Sequence, residues 1–235
     1  MSFAPASLTS PSRKNIIILY EFTENIMSLT VQTIQRLPYY LDYLKRIQGE
    51  GSKYVSATAI ACELSLNDVQ VRKDIAAIAT TKGIPKVGFE VEQIIENIEE
   101  LLGYNNTTDA LIIGAGSLGR ALLSNDEFKN YGLNIVAAFD NDERKIGTLI
   151  CGKEVFDVNK LPELCKRMHI HIGIITVPAA SAQQVCDVLV ESGVKAIWNF
   201  AIKKLNVPEG VLVKNENLAA SLAVLSRHLR EENHS

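Results

Sequence analysis

A buried strand, a glycine-spaced turn and a helix follow one another without a break in Ala110-Leu-Ile-Ile-Gly114-Ala115-Gly116-Ser117-Leu118-Gly119-Arg120-Ala-Leu-Leu. Each glycine of this G-x-G-x-x-G turn has a mechanical reason. Gly114 makes the tight turn, Gly116 lets a pyrophosphate approach the backbone, and Gly119 lets the helix pack closely on the strand. The helix N-terminus then offers unpaired N–H groups and a positive dipole end to phosphate. A second apolar run, Ile135-Val-Ala-Ala-Phe139, ends in Asp140, whose carboxylate can accept both hydroxyls of an adenine ribose. Taken alone the glycine spacing is a weak signal; flanked by strand, helix and a strand-terminal acid it predicts dinucleotide binding. More than a hundred residues precede the turn. A dehydrogenase usually opens on this motif, so another module comes first here.

Around the turn the pattern is that of an α/β fold. Strands are expected at 110–113, 134–139, 172–177, 195–198 and 211–213, alternating with helices, which is the signature of a parallel sheet. The Rossmann-type domain is accordingly assigned to 110–214. Residues 215–235 follow as a helix with Leu218, Leu222, Leu225 and Leu229 on one face. That stripe either closes the domain or packs on a second subunit.

Upstream, Val31, Ile34, Leu37, Leu41, Leu44 and Ile47 recur at helical spacing over 31–48, with Pro38 an awkward interior break. A short helix over 55–64 is capped by Ser56, and a second runs over 68–78 and carries Gln70, Arg72 and Lys73. Two short helices joined by a polar turn have helix-turn-helix geometry. Thr80 to Phe89, with Lys82 and Lys86 among its glycines and proline, reads as a hairpin and hence a wing. The other reading is an ordinary helical subdomain with solvated charges. Residues 30–90 hold eight basic and six acidic side chains, a balance of +2 in a chain whose total is −3, so the remainder carries −5. This permits a nucleic-acid face without proving one. The first domain is placed at 27–90, followed over 91–109 by an amphipathic connecting helix and a polar linker.

Several function classes are set aside. No apolar run reaches the roughly 18 residues that span a bilayer. Ile16 to Tyr20 is too short for an export signal and lacks a cleavage site. Residues 1–26 read as a flexible extension ahead of Met27. Cys62, Cys151, Cys165 and Cys186 lie far apart and read as reduced core thiols of a cytoplasmic protein. His169 and His171 have no neighbouring ligands at metal spacing, so no metal is expected. No His, Lys or Tyr/Lys pair stands at a strand end as a proton-transfer set would, so no catalytic residue is assigned.

From about Met27 onward the chain resembles the redox-sensing repressor (Rex) family. Arg36-Leu-Pro-Tyr39-Tyr40 looks like the opening helix, which accounts for the odd proline, and Gln70-Val-Arg72-Lys73-Asp74 looks like the recognition helix. The turn Gly114 to Gly119, Ala138-Phe139-Asp140, Thr176-Val177-Pro178-Ala179 and Trp198-Asn199-Phe200-Ala201 are also similar. The resemblance implies an N-terminal winged helix, an NAD(H)-binding domain, and a homodimer on a palindromic operator that it leaves as NADH rises relative to NAD, with the C-terminal helix swapped between subunits. It implies DNA contacts from Arg36, Tyr39, Ser56, Gln70, Arg72, Lys73, Lys82 and Lys86. Cofactor contacts are implied for Gly114, Ala115, Gly116, Ser117, Leu118, Gly119, Asp140, Thr176, Val177, Pro178, Asn199, Phe200 and Phe89.

Three positions depart from the family pattern. Phe89 stands where a tyrosine is usual, Asp42 where many members have arginine, and Asn217 where they have aspartate. These groups would form a state-dependent polar switch, so redox discrimination is expected to be blunted while fold and DNA binding survive. Two alternatives remain open: a paralogue binding NAD or another nucleotide such as coenzyme A constitutively, and an NAD-dependent oxidoreductase with a helical extension.

Overall fold

The structure is a computed structural model that describes residues 29–232; the extension expected over 1–26 lies outside them. The chain divides into two units between Asn105 and Asn106, inside the polar linker.

The first unit is built on helix α1 (Val31–Gly49), started by the Thr30 hydroxyl, which accepts the Thr33 N–H at 3.2 Å. Pro38 sits inside this helix and deprives the Ile34 carbonyl of its usual partner. Burial of Leu37, Tyr40, Leu41, Leu44 and Ile47 carries the helix across the break, at about 1.5–3 kcal/mol for each fully buried large side chain. Strand β1 (Tyr54–Val55) leads into α2 (Ala57–Glu63), capped by the Ser56 hydroxyl on Ala59 N–H. A four-residue turn then delivers α3 (Asp68–Ile78), where Asn67 Oδ1 accepts from Val69 and Gln70 N–H. The hairpin expected within 80–89 is reduced to one bridge, Ile84 to Gly88. The chain instead returns as β2 (Phe89–Glu90), antiparallel to β1. The wing therefore uses a strand from ahead of the helix pair, a pairing that local turn chemistry does not disclose. Helix α4 (Val91–Leu102) sends Val91, Ile94, Ile95 and Ile98 into the same core as α1 and α3, so it belongs to this unit and is not a free-standing connector.

In the second unit a seven-stranded sheet runs β5-β6-β4-β3-β7-β8-β9. The strands are β3 (Thr108–Ile113), β4 (Leu133–Asp140), β5 (Leu149–Ile150), β6 (Lys153–Asp157), β7 (Ile172–Ile175), β8 (Ala196–Asn199) and β9 (Leu212–Asn215). All pairings are parallel except β5 with β6. With β5 set aside, the order is the doubly wound 3-2-1-4-5-6 arrangement. Helix α5 (Ser117–Ser124) follows β3, α6 (Leu161–Arg167) follows β6, α7 (Ala179–Glu191) follows β7 and α8 (Leu218–Glu232) follows β9. Central β3 buries Ala110 through Ile113 on both faces, as a strand covered by helices must. The third strand was expected to run to residue 177 but stops at Ile175, which frees Thr176 to Pro178 as a loop. Sequence periodicity did not anticipate β5 or β6. Only Cys165 and Cys186 are core thiols; Cys62 and Cys151 are exposed, against the expectation that all four are buried. No helix among the described residues is long and apolar enough to cross a membrane.

Candidate functional site

A cavity of about 860 Å³ opens where β3, β4 and β7 end, at the point where the winding of the sheet reverses. Ligands of doubly wound sheets sit in such crevices, and the volume lies within the roughly 300–1,000 Å³ of small-molecule sites. Gly114 takes φ +106°, and a Cβ there would stand 2.9 Å from the Thr176 carbonyl carbon. A Cβ on Gly119 would lie 1.9 Å from the Gly114 carbonyl oxygen, so only glycine fits between turn and helix. Gly116, in contrast, faces open space. It precedes α5 as an N-cap with no side chain to satisfy the helix N–H groups, leaving that end available to an anion. The Thr176 hydroxyl donates to the Gly114 carbonyl at 2.7 Å and so ties the β7 loop to the turn.

Asp140 closes the β4 side. Its carboxylate is 8% exposed and already holds three donors. Oδ2 accepts the Ala115 N–H at 2.8 Å and the Lys145 ammonium at 2.9 Å; Oδ1 accepts the Asp142 N–H at 2.9 Å. Burial would raise the Asp140 carboxyl, but the Lys145 bond and the two backbone N–H groups hold it below the usual carboxylate value.

Six of the expected cofactor residues line the cavity: Gly114, Gly116, Asp140, Thr176, Val177 and Pro178. Ala115 is buried in the turn, its amide spent on Asp140, and Gly119 is buried on α5. Ser117 and Leu118 lie on the first turn of α5. Asn199 and Phe200 do not line the cavity. Asn199 is wholly buried, its amide donating to the Lys203 carbonyl and Asn215 Oδ1, while Phe200 packs against Trp198 with ring centroids 4.9 Å apart. Phe89 belongs to the first unit, its ring lying over Gly83. Asn217 caps α8, its Oδ1 accepting the Ala220 N–H.

On the first unit, Tyr39, Ser56, Gln70, Arg72, Lys73, Lys82 and Lys86 are exposed. Arg72 reaches Asp68 at 3.0 Å and the Thr58 hydroxyl at 3.2 Å; such an exposed pair is worth at most about 1 kcal/mol and yields readily to a phosphate or base. Ser56, Arg72 and Lys86 line one shallow depression between α2, α3 and the wing. Arg36 differs from these, with a side chain only 21% exposed and its guanidinium on Asp74 at 2.8 and 3.0 Å.

Asp74 is the hub of this unit. It is 2% exposed and accepts from Arg36, from the Tyr40 hydroxyl (2.8 Å), from the Gln70 amide (2.9 Å) and from the Thr33 hydroxyl (3.2 Å). Burial opposes ionisation of Asp74, yet the bonds from Arg36, Tyr40 and Gln70 keep its carboxyl below the usual value. Because an ionised carboxylate only accepts, the Gln70 amide must aim its NH2 inward. Burial, then the neighbouring Asp74, pushes the Tyr40 phenol from 10.0 up to about 12. The folded state therefore favours the neutral phenol, a contribution complete below about pH 10 and lost as the pH climbs towards 12. Urea unfolding across that window should show stability falling with pH in the native chain and falling less in Tyr40→Phe. Equal losses in both would contradict the assignment.

Comparison with known proteins decides what these two sites belong to. Residues 105–203 match the family model described as "CoA binding domain", and residues 29–76 the one described as "Putative DNA-binding protein N-terminus". The redox-sensing transcriptional repressor Rex of Treponema denticola is 44% identical over 193 residues, 82% of this chain and 91% of that protein. RSP, a Rex-family repressor, shares 34% identity in crystal structures with β-NAD+ and operator DNA and with β-NADH. The TM-scores are 0.82 and 0.77, covering 87% and 88% of this chain and 94% and 96% of those chains.

The chain belongs to the Rex family of redox-sensing transcriptional repressors.

As a Rex-family chain it has an N-terminal winged-helix DNA-binding unit and a Rossmann-type unit on one polypeptide. Two features of this Rex chain were not found from sequence. Lys145, on the turn after β4, reaches back to Asp140, and the spacing D-x-x-x-x-K carries no periodic signal. The Asp74 cluster joins residues up to 41 positions apart, and Asp74 in isolation reads as one more charge on a solvated helix face.

Proposed function

We propose that this protein is a homodimeric transcriptional repressor of the cytoplasm that binds a palindromic operator and couples its occupancy to the NADH/NAD balance. The observation that carries the reading is the cavity at the ends of β3, β4 and β7, walled by a glycine turn that admits backbone approach and by a strand-terminal carboxylate. The turn from Gly116 into α5 suits a pyrophosphate, and Asp140 suits the adenosine ribose. Bound there, NAD(H) supplies a nicotinamide whose charge changes on reduction. The exposed cationic face of the first unit, with Arg72 and Lys73 on α3, suits the operator. Leu218, Leu222 and Leu225 present an exposed apolar stripe along α8, which supports a subunit contact. A second reading, constitutive binding of another nucleotide such as coenzyme A, draws on the family model that spans this unit.

Calorimetry with NAD, NADH and coenzyme A on the purified chain separates the two. Saturable binding of NAD and NADH, with coenzyme A at least tenfold weaker, is the expected result. Preferential binding of coenzyme A, or no dinucleotide binding, would overturn the first reading.

A further inference from the structure

The ribose-binding carboxylate is already paired with a cation, and that cation bears on which dinucleotide the site accepts. A carboxylate offers about four acceptor positions. On Asp140 three are taken, two on Oδ2 by Ala115 N–H and Lys145 and one on Oδ1 by Asp142 N–H. A ribose can therefore gain one bond while Lys145 stays, and two only once the ammonium moves aside. Lys145 is free to do so: its side chain is 33% exposed, and it is the only cation among the described residues that line the cavity. Asp142, the other carboxylate on the rim, is engaged by Arg144 at 2.8 Å and stands 4.0 Å from Lys145. The rim thus holds two carboxylates, each paired with a cation, Arg144 reaching Asp142 from outside the cavity lining. Its repulsion of a 2′-phosphate is much weaker than a lone Asp140 would exert.

We infer that Lys145 is a specificity-determining residue of this site, its ammonium serving as a latent partner for a 2′-phosphate and tempering the preference for NAD(H) over NADP(H). The inference rests on the dinucleotide reading given above. In the native chain the ammonium is shared between Asp140 and an incoming phosphate. Removing the carboxylate's charge releases it to the phosphate, and removing the ammonium leaves the carboxylate alone to repel.

The experiment is calorimetric titration of NAD and NADP into the native chain, Lys145→Met, Asp140→Asn and the double variant. Lys145→Met should lower the NADP-to-NAD affinity ratio roughly tenfold, the scale of one charge-assisted hydrogen bond. Asp140→Asn should gain roughly tenfold in NADP affinity, and the double variant should lose that gain. Lys145 lies on an exposed turn, so the first comparison stands even where Asp140→Asn loses too many backbone bonds to fold. An NADP-to-NAD ratio unchanged by Lys145→Met would overturn the assignment, as would a double variant that binds NADP as tightly as Asp140→Asn. Failure of the native chain to bind NAD would instead bring down the underlying reading of the cavity.

Discussion

Replacing Arg72 and Lys73 together with alanine should lower operator affinity by more than roughly a hundredfold. Both side chains are exposed on α3, Arg72 at 63%, while Val71, Ile75 and Ile78 of the same helix are buried in the first-unit core. The change therefore strips the outward face without touching the packing. An arginine on a base edge is worth about 1–3 kcal/mol at its position. Counted over two half-sites of a palindrome, that is about 2–6 kcal/mol, or roughly thirty- to twenty-thousandfold. A lysine on a phosphate adds a counterion-release contribution, so the slope of log K against log salt should flatten by about one per subunit. Operator titrations at several salt concentrations read both quantities at once. Unchanged affinity and slope would leave α3 a solvated helix and remove the helix-turn-helix reading.

Gly119→Ala should weaken dinucleotide binding and destabilise the fold. Its Cβ would be placed 1.9 Å from the Gly114 carbonyl oxygen and 2.9 Å from the Thr176 hydroxyl, the group that ties the β7 loop to the turn. Neither neighbour is the far end of a flexible side chain, so the turn must open and the helix must shift. Overpacking of this kind costs about 1–3 kcal/mol, and the distortion falls on the backbone a pyrophosphate would meet. Calorimetry should show NAD(H) affinity reduced by more than about tenfold, with a lowered melting temperature. Gly116→Ala is the internal comparison for packing, since its Cβ meets nothing within 4 Å. It should melt like the native chain. Native-like NAD(H) affinity in Gly119→Ala would show that the turn does not hold the ligand.

The parts of this molecule legible in its sequence are those set by local, repeating rules. The α3 boundaries follow from an Asn cap and an apolar period of 3.6, and the cavity turn follows from three glycines between strand and helix. Strand β6 escaped notice because it lies near the sheet edge beside β5, and in Lys153–Asp157 Val155 is the only fully buried residue. The wing was expected over Thr80 to Phe89, but its strand pairing was not, because β2 pairs with β1 more than thirty residues earlier, beyond the reach of local turn rules. The place of Asp140 at a strand end makes it a candidate ribose ligand. That it is already shared with Lys145 and two backbone N–H groups is a property of the turn's path in space. Arg36 was read as a DNA contact from its position in a motif, whereas its guanidinium is spent on Asp74.

Redox coupling is tested most directly by titrating NAD and NADH separately into the protein bound to a fluorescent palindromic operator. Anisotropy follows release, and calorimetry gives the two affinities. By the resemblance, Phe89, Asp42 and Asn217 fall where the family pattern has the polar groups of a switch, and Asn217 is engaged in capping α8. A ligand shifts a conformational equilibrium only by its differential affinity for the two states. The face of a phenylalanine favours the cationic, oxidised nicotinamide by about 0.5–1 kcal/mol. The expected result is release by NADH and retention with NAD, with the two affinities within roughly tenfold, about 1.4 kcal/mol. No release at saturating NADH would contradict redox-coupled repression, and a hundredfold or greater preference for NADH would show that other residues have rebuilt the switch.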